Sequence, residues 1–208
     1  RYIRQGVKEY NEASFGNAEV SYQKALEKNE NSFEAGFNLG DAFYKQEKYD
    51  DAIKEFSKLA DRTTDKDKLA KIYHNIGNSE LKKAKKPLSE QKLDEGIKQV
   101  EKSIEAFKKS LKNNPADRET KYNLSYAQKL KKLLEDQKNQ NQDQNQQNQD
   151  QNKQDQNQDG QNNQDKNQQN QNKPTEGDSD GDGIPDKIEK GDNPDKPRDT
   201  DKDGQPDH

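Results

Sequence analysis

The acidic residues of the stretch 178–189 recur at the spacing of a calcium-binding loop. Carboxylates occupy positions 1, 3, 5, 9 and 12, glycine occupies position 6, and position 7 is an isoleucine whose backbone carbonyl would serve as a ligand. Ca²⁺ takes about six to eight hard oxygen ligands, and the glycine lets the chain turn sharply around the ion. The predicted ligands are Asp178, Asp180, Asp182, Ile184, Asp186 and Glu189.

A second, incomplete copy follows, with its glycine at Gly204, and the printed chain stops before its position 12. Its predicted ligands are Asp199, Asp201, Asp203 and Asp207. The alternative is an acidic, disordered tail that binds no ion. The Asn/Gln-rich run before the first loop precludes the entering helix that an EF-hand requires. The segment instead resembles thrombospondin type 3 calcium repeats, in which Asp-rich loops wrap around ions with little secondary structure.

Two helices joined by a tight turn are predicted for residues 37–60, because apolar residues recur there at helical spacing. A copy lies upstream at a fixed offset. Gly6 matches Gly40 and Tyr22 matches Phe56, and the small residues at Ala18 and Ala52 also correspond. Small residues at these points let two helix backbones approach closely. The offset and the pattern are typical of the tetratricopeptide repeat, whose period is about 34 residues.

We therefore predict an all-α fold, a tetratricopeptide-repeat solenoid of about three repeats with a capping helix. The repeats span residues 1–31, 32–66 and 67–116, the cap spans 117–136, a disordered Asn/Gln-rich linker spans 137–173, and the calcium-binding tail spans 174–208. Aligning Ser103 with Ala52 shows that the third repeat contains an insertion. We expect Pro87 to break its first helix and Ser89 to cap the next. The resulting elongated hairpin would protrude from the array, either as a packing elaboration or as a docking element.

Composition excludes several classes of function. The chain of 208 residues is 24% apolar and 38% charged, and its net charge of −4 divides into +5 for residues 1–135 and −9 for the remainder. The basic excess is small and Lys alternates with Glu, which indicates a solvated repeat surface and not a nucleic-acid-binding one. The sequence has no cysteine, hence no thiol nucleophile. No run of 18 apolar residues predicts a membrane span.

A ligand-binding groove is predicted on the first helices of the repeats. Asn38, Asn75 and Asn123 occupy equivalent positions, where a ladder of amides could pair with the backbone of an extended peptide. The alternative is that asparagine is simply the usual residue of the repeat there. Neighbouring positions add the rings of Phe37, His74 and Tyr122.

No catalytic constellation accompanies these residues. His74 and His208 are the only histidines, and no glycine-rich phosphate loop occurs. We expect a non-enzymatic module for protein–protein interaction, with Ca²⁺ bound in the tail. Calcium modules outside the cytosol bind with dissociation constants of about 10⁻⁴–10⁻³ M, which favours an extracytoplasmic location.

The layout resembles the tetratricopeptide-repeat proteins of the aerotolerance (Bat) operon family, the BatC type. The resemblance is carried by residues 2–6, 38–41 and 122–128 and by the Gln/Asn-rich run behind them, and it covers residues 1 to about 172. It implies an exported, periplasmic scaffold, encoded beside von Willebrand A-domain membrane proteins and a MoxR-type AAA+ ATPase. The lack of methionine fits a removed signal peptide. The alternative is a calcium-dependent envelope or surface structural protein, in which the tail binds and the repeats act as a spacer.

Overall fold

A computed structural model describes the backbone of residues 1–155 and the side chains of residues 1–142. This part of the chain is all-α and contains seven helices. They are α1 (Tyr2–Asn11), α2 (Phe15–Lys28), α3 (Phe33–Lys45), α4 (Tyr49–Asp61), α5 (Lys66–Ser89), α6 (Leu93–Asn113) and α7 (Arg118–Asp155). The calcium-loop residues predicted within 178–207 lie outside the described residues.

Six of the helices pair as hairpins, α1 with α2, α3 with α4 and α5 with α6, and successive hairpins pack side by side. Each hairpin closes where a glycine of its first helix meets an aromatic ring of its second. A Cβ atom on Gly6 would lie 2.5 Å from the ring of Tyr22, and one on Gly40 would lie 2.6 Å from the ring of Phe56. Gly77 meets Phe107 in the same way. The same contact between a glycine and an aromatic ring therefore recurs in three hairpins.

The turns inside the hairpins are also alike. Each first helix is followed by a residue with a left-handed backbone, with φ of 55° at Ala13, 59° at Glu47 and 58° at Gln91. In each turn the next N–H returns to a carbonyl further back in the helix: Ser14 donates to Glu9, Lys48 to Phe43 and Lys92 to Pro87, over 2.8–2.9 Å. This is the Schellman pattern, which satisfies carbonyls that the helix end leaves unpaired.

The extra residues of the third hairpin divide equally between its helices. The glycine precedes the left-handed turn residue by seven positions in the first two hairpins and by twice as many in the third, from Gly77 to Gln91. In the second helix of each hairpin, a small buried residue follows the turn residue. The spacing is five positions in the first two hairpins and twelve in the third, from Gln91 to Ser103. Since seven positions make about two helical turns, each helix lengthens without rotating its buried face.

The prediction that Pro87 breaks the helix and that Ser89 caps the next one is wrong. Helix α5 continues through Pro87 to Ser89, and α6 begins at Leu93 without a side-chain cap. Proline at this point removes one hydrogen bond. Tertiary packing holds the last turn, because Leu88 is buried directly against Gly96 of α6.

The extended hairpin does not protrude alone, because α7 packs along α6 and covers it. Leu130 and Leu134 of α7 are fully buried in one apolar cluster with the extended parts of α5 and α6. At the far end, the ammonium of Lys138 lies 2.5 Å from the carboxylate of Asp94, near the start of α6. The extension therefore gives the last helix a surface on which to pack.

Helix α7 also runs past the predicted end of the cap. The prediction ended this helix at residue 136 and began a disordered linker at 137, whereas the helix continues to Asp155. No glycine or proline occurs between Arg118 and Asp155. A helix already nucleated by packing propagates through such a sequence at little cost. The remainder of the predicted linker, 156–173, lies outside the described residues.

Candidate functional site

A groove with a volume of about 420 Å³ lies on the face formed by the first helices of the three hairpins. We call it the first-helix groove. Helices α1, α3 and α5 supply its walls, and the beginning of α7 closes one end. It is lined by Tyr10, Phe37, Asp41, Tyr44, Lys45, Lys71, His74, Asn75, Asn78, Asp117 and Glu119. The residues from α3 and α5 recur three or four positions apart, as a single helical face requires.

Aromatic contacts fix the apolar part of the groove. The ring of Phe37 stacks on Phe33 at 5.6 Å between centroids and meets Phe56 edge-on at 5.4 Å. Tyr44 packs edge-on against Tyr49 at 5.6 Å, as Tyr10 does against a ring of α2. Rings held in this way offer a preformed surface, because little side-chain freedom is lost when a ligand binds.

The surroundings of Asp41 in the groove perturb its carboxyl group strongly. The amide nitrogen of Asn75 donates a hydrogen bond of 2.7 Å to its Oδ1. Burial raises the pKa of Asp41 to about 7 by disfavouring the charged form, and this outweighs the lowering effects of Asn75, Lys45 and His74. The protonated form of this carboxyl therefore persists to a higher pH than in an ordinary aspartate.

His74 joins α5 to the start of α7 through a chain of hydrogen bonds. The hydroxyl of Thr120 donates to Asp117 at 2.8 Å, so its oxygen accepts from Nδ1–H of His74 at 2.7 Å. The Nε2 atom lies 3.1 Å from the amide nitrogen of Asn78 and 3.5 Å from the carboxylate of Glu119. His74 thus combines a place on the groove wall with a structural role between helices.

The three predicted asparagines do not form one exposed ladder. Asn75 lines the groove but donates to Asp41. Asn123 is only 1% exposed, and its amide nitrogen donates to Oδ1 of Asn78 at 3.0 Å. Asn38 is half-buried and, like Asn123, is not among the residues that line the cavity.

The structure therefore brings three of the six predicted groove residues together, namely Phe37, His74 and Asn75. Tyr122 is 39% exposed but does not line the cavity. Sequence reasoning missed Asp41, although a signal was present. Its carboxylate follows Phe37 by four positions and lies within the small and apolar run of residues 39–42, where a charge requires an explanation.

Metal-binding groups and membrane spans are both absent from the described residues. Among these residues, no group of three His, Asp or Glu side chains could hold a metal ion. No helix in that part of the chain has both the length and the apolar character needed to cross a bilayer. No protein-family model matches the chain, and a search of curated proteins returned no match.

Proposed function

We propose that this protein is a non-enzymatic scaffold that binds extended segments of partner proteins in the first-helix groove. The observation that carries the proposal is the groove itself, which three successive first helices build at a volume of about 420 Å³. It combines fixed aromatic rings with amide groups and charged side chains of both signs, a mixture suited to a peptide and its side chains. The proposed function involves non-covalent binding and no covalent reaction.

We further propose that the helices form a tetratricopeptide-type array. What supports this is the recurrence of the same contacts at the same spacing. The step from the glycine to its aromatic partner is identical in the first two hairpins, from Gly6 to Tyr22 and from Gly40 to Phe56. The left-handed turn residues Ala13 and Glu47 repeat at the same offset as the two glycines. An array of this kind presents its first helices on one face, which is where the groove lies.

A bulky label attached to the groove wall tests whether the groove is the peptide-binding surface. Because the chain has no cysteine, a single introduced thiol can be labelled selectively. Lys71→Cys places a label on an exposed position of the groove wall, and Lys54→Cys places the same label on an exposed position of α4 as a control. With peptides selected by the intact chain from a random library, a bulky maleimide at position 71 should abolish binding. Equal loss from labels at 71 and 54, or loss from neither, would contradict the proposal.

For the biological setting, we propose a scaffold in an envelope complex of the Bat type, located in the periplasm. What supports it is the sequence resemblance carried by residues 2–6, 38–41 and 122–128. The proposed partners are von Willebrand A-domain proteins encoded beside this one. The test is calorimetric titration of the intact chain with a purified A domain from a neighbouring gene. Absence of heat, or of any such gene nearby, would reject this partner.

A second candidate function rests on the predicted calcium loop at 178–189. In this alternative the protein is a calcium-dependent envelope or surface structural protein, in which the tail is the binding module and the helical array acts as a spacer. Titration of the intact chain with Ca²⁺ should give saturable binding in the range of about 10⁻⁴–10⁻³ M. The double variant Asp180→Asn, Asp182→Asn should lose that binding, since it removes two carboxylate ligands. If deletion of residues 156–208 leaves partner capture intact, the array is the functional module.

A further inference from the structure

Asp41 gives the first-helix groove a chemical preference. We propose that the groove receives one basic side chain of its peptide ligand, which lies beside Asp41 and against the neighbouring aromatic rings. The inference rests on the proposed function, because it specifies the ligand of the same groove. Its occupant is a segment of a separate protein with a Lys or Arg within an otherwise uncharged stretch.

Asp41 already has partners within the chain. Asn75 donates to it, and Lys45 and His74 lie near enough to lower its pKa, yet burial still raises that pKa to about 7. The partners within the chain therefore do not offset the loss of water around this carboxylate. An added cation would favour the charged form and would gain binding energy by doing so.

Aromatic rings line the groove beside Asp41. Phe37 precedes it by four positions and Tyr44 follows it by three, so both rings stand one helical turn away on the same face of α3. Tyr10 of α1 lines the same cavity. Aromatic faces attract ammonium and guanidinium groups, and they also pack against the methylene stems of Lys and Arg.

The other charges of the groove restrict the number of basic side chains to one. Asp117 uses both carboxylate oxygens to cap α7, accepting from the N–H and the hydroxyl of Thr120. Glu119 faces His74 at 3.5 Å. Lys45 and Lys71 also line the groove. A polybasic segment would meet both ammonium groups, whereas a single basic side chain at Asp41 would lie near that of Lys45 alone.

Helix geometry argues against the protein's own tail as the occupant. From the groove end at Asp117, α7 carries the chain away to Asp155. At about 1.5 Å per residue this is a path of roughly 55 Å. Residues 156–208 would have to return over that distance, which lowers their effective concentration at the groove.

The experiment is a selection of random dodecapeptides by phage display on the intact chain, repeated with Asp41→Asn and with Asp136→Asn. Asp136 is an exposed residue of α7 away from the groove, so its variant controls for the loss of one negative charge. We expect Lys or Arg to be enriched at one position by the wild type and by Asp136→Asn, and not by Asp41→Asn. Synthetic peptides carrying that residue should bind Asp41→Asn about tenfold more weakly.

A second readout separates pairing with Asp41 from a general effect on folding. Binding of a basic peptide near pH 7 should release protons, because the cation lowers the raised pKa of the Asp41 carboxyl. Calorimetry in phosphate and in Tris buffer measures that release, which should vanish in Asp41→Asn. Peptides selected without a basic position, or with one that Asp41→Asn leaves unchanged, would overturn this inference while groove binding stands. Failure to select any peptide would reject the proposed function itself.

Discussion

At the scale of single residues, the fold depends on glycines that meet aromatic rings. At Gly40 the sequence predicted a close approach of two helix backbones, because a small residue interrupts an otherwise large apolar stripe and recurs at the equivalent position Gly6. The structure adds that a Cβ atom on Gly40 would lie 2.6 Å from the ring of Phe56, which is fully buried. A methyl group at position 40 would therefore force the ring to shift.

The first prediction compares two glycines within helices. Gly40→Ala should lower the free energy of unfolding by about 1–3 kcal/mol, because the added methyl group overlaps a buried ring. Gly16→Ala should raise it by about 1 kcal/mol, since the nearest atom to its Cβ is 3.9 Å away and alanine favours the helix. Urea unfolding followed by circular dichroism measures both. A gain in stability for Gly40→Ala would contradict the described packing.

Asp41 illustrates what the sequence could not provide. The residue types of α3 indicate a charge beside an apolar stripe, but its burial depends on how α5 packs beside α3. That packing is a contact between hairpins, which helical periodicity does not specify. The same limit explains why Asn123, predicted to face a ligand, is instead buried against Asn78.

The second prediction concerns the pH dependence of stability. The pKa of Asp41 rises from an ordinary 3.8 to about 7 on folding, so the folded state binds more protons than the unfolded state between these values. The contribution of Asp41 to stability should therefore fall as pH rises from 4 to 7, and Asp41→Asn should remove that fall. Relative to wild type, the variant should gain up to about 4 kcal/mol of stability between pH 4 and pH 8, at about 1.4 kcal/mol per pKa unit. A variant that shows no such gain over this range would contradict the assignment.

At the scale of elements, three hairpins share one turn geometry despite different turn sequences. Alanine, glutamate and glutamine take the left-handed position at residues 13, 47 and 91. Glycine is the usual residue there, so these segments carry no turn signal beyond their polar character. The length of the third hairpin was predictable from its apolar spacing. The equal division of its extra residues became visible only once the turn was located.

The third prediction follows from the strained turn residue. Ala13→Gly should raise the free energy of unfolding by about 0.5–1 kcal/mol, because glycine adopts a φ of 55° without steric cost. The matched change Asn11→Gly, at the last residue of α1, should lower it by a similar amount. Equilibrium urea unfolding of both variants gives the comparison. Equal destabilisation by the two changes would be inconsistent with a left-handed Ala13.

The fourth prediction tests whether the extended hairpin supports α7. Leu134→Ala should cost about 2–4 kcal/mol, since this side chain is fully buried against the extended parts of α5 and α6. Leu133→Ala, at a half-buried position on the same helix, should cost less than half as much. Thermal and urea unfolding would provide the values. Similar costs for the two leucines would show that α7 does not pack along α6 as described.

At the scale of the molecule, three hairpins and a long closing helix place a groove on the face of the first helices, and a polar segment of the sequence follows them. The sequence predicted the helical class, the hairpins and the side that carries the groove. It placed the end of the last helix too early, because the Asn/Gln-rich run lacks the apolar periodicity used to identify helices. A helix that begins on a packed surface does not need that periodicity to continue.

The most direct test of the groove as the binding surface is an NMR titration of the intact, isotope-labelled chain with a peptide selected from the random library. The account predicts shifts in backbone amides that concentrate on α1, α3 and α5, around Phe37, Asp41, Tyr44, His74 and Asn75. Shifts confined to α2, α4 and α6, or to residues 156–208, would contradict it, because the ligand would then lie on another surface.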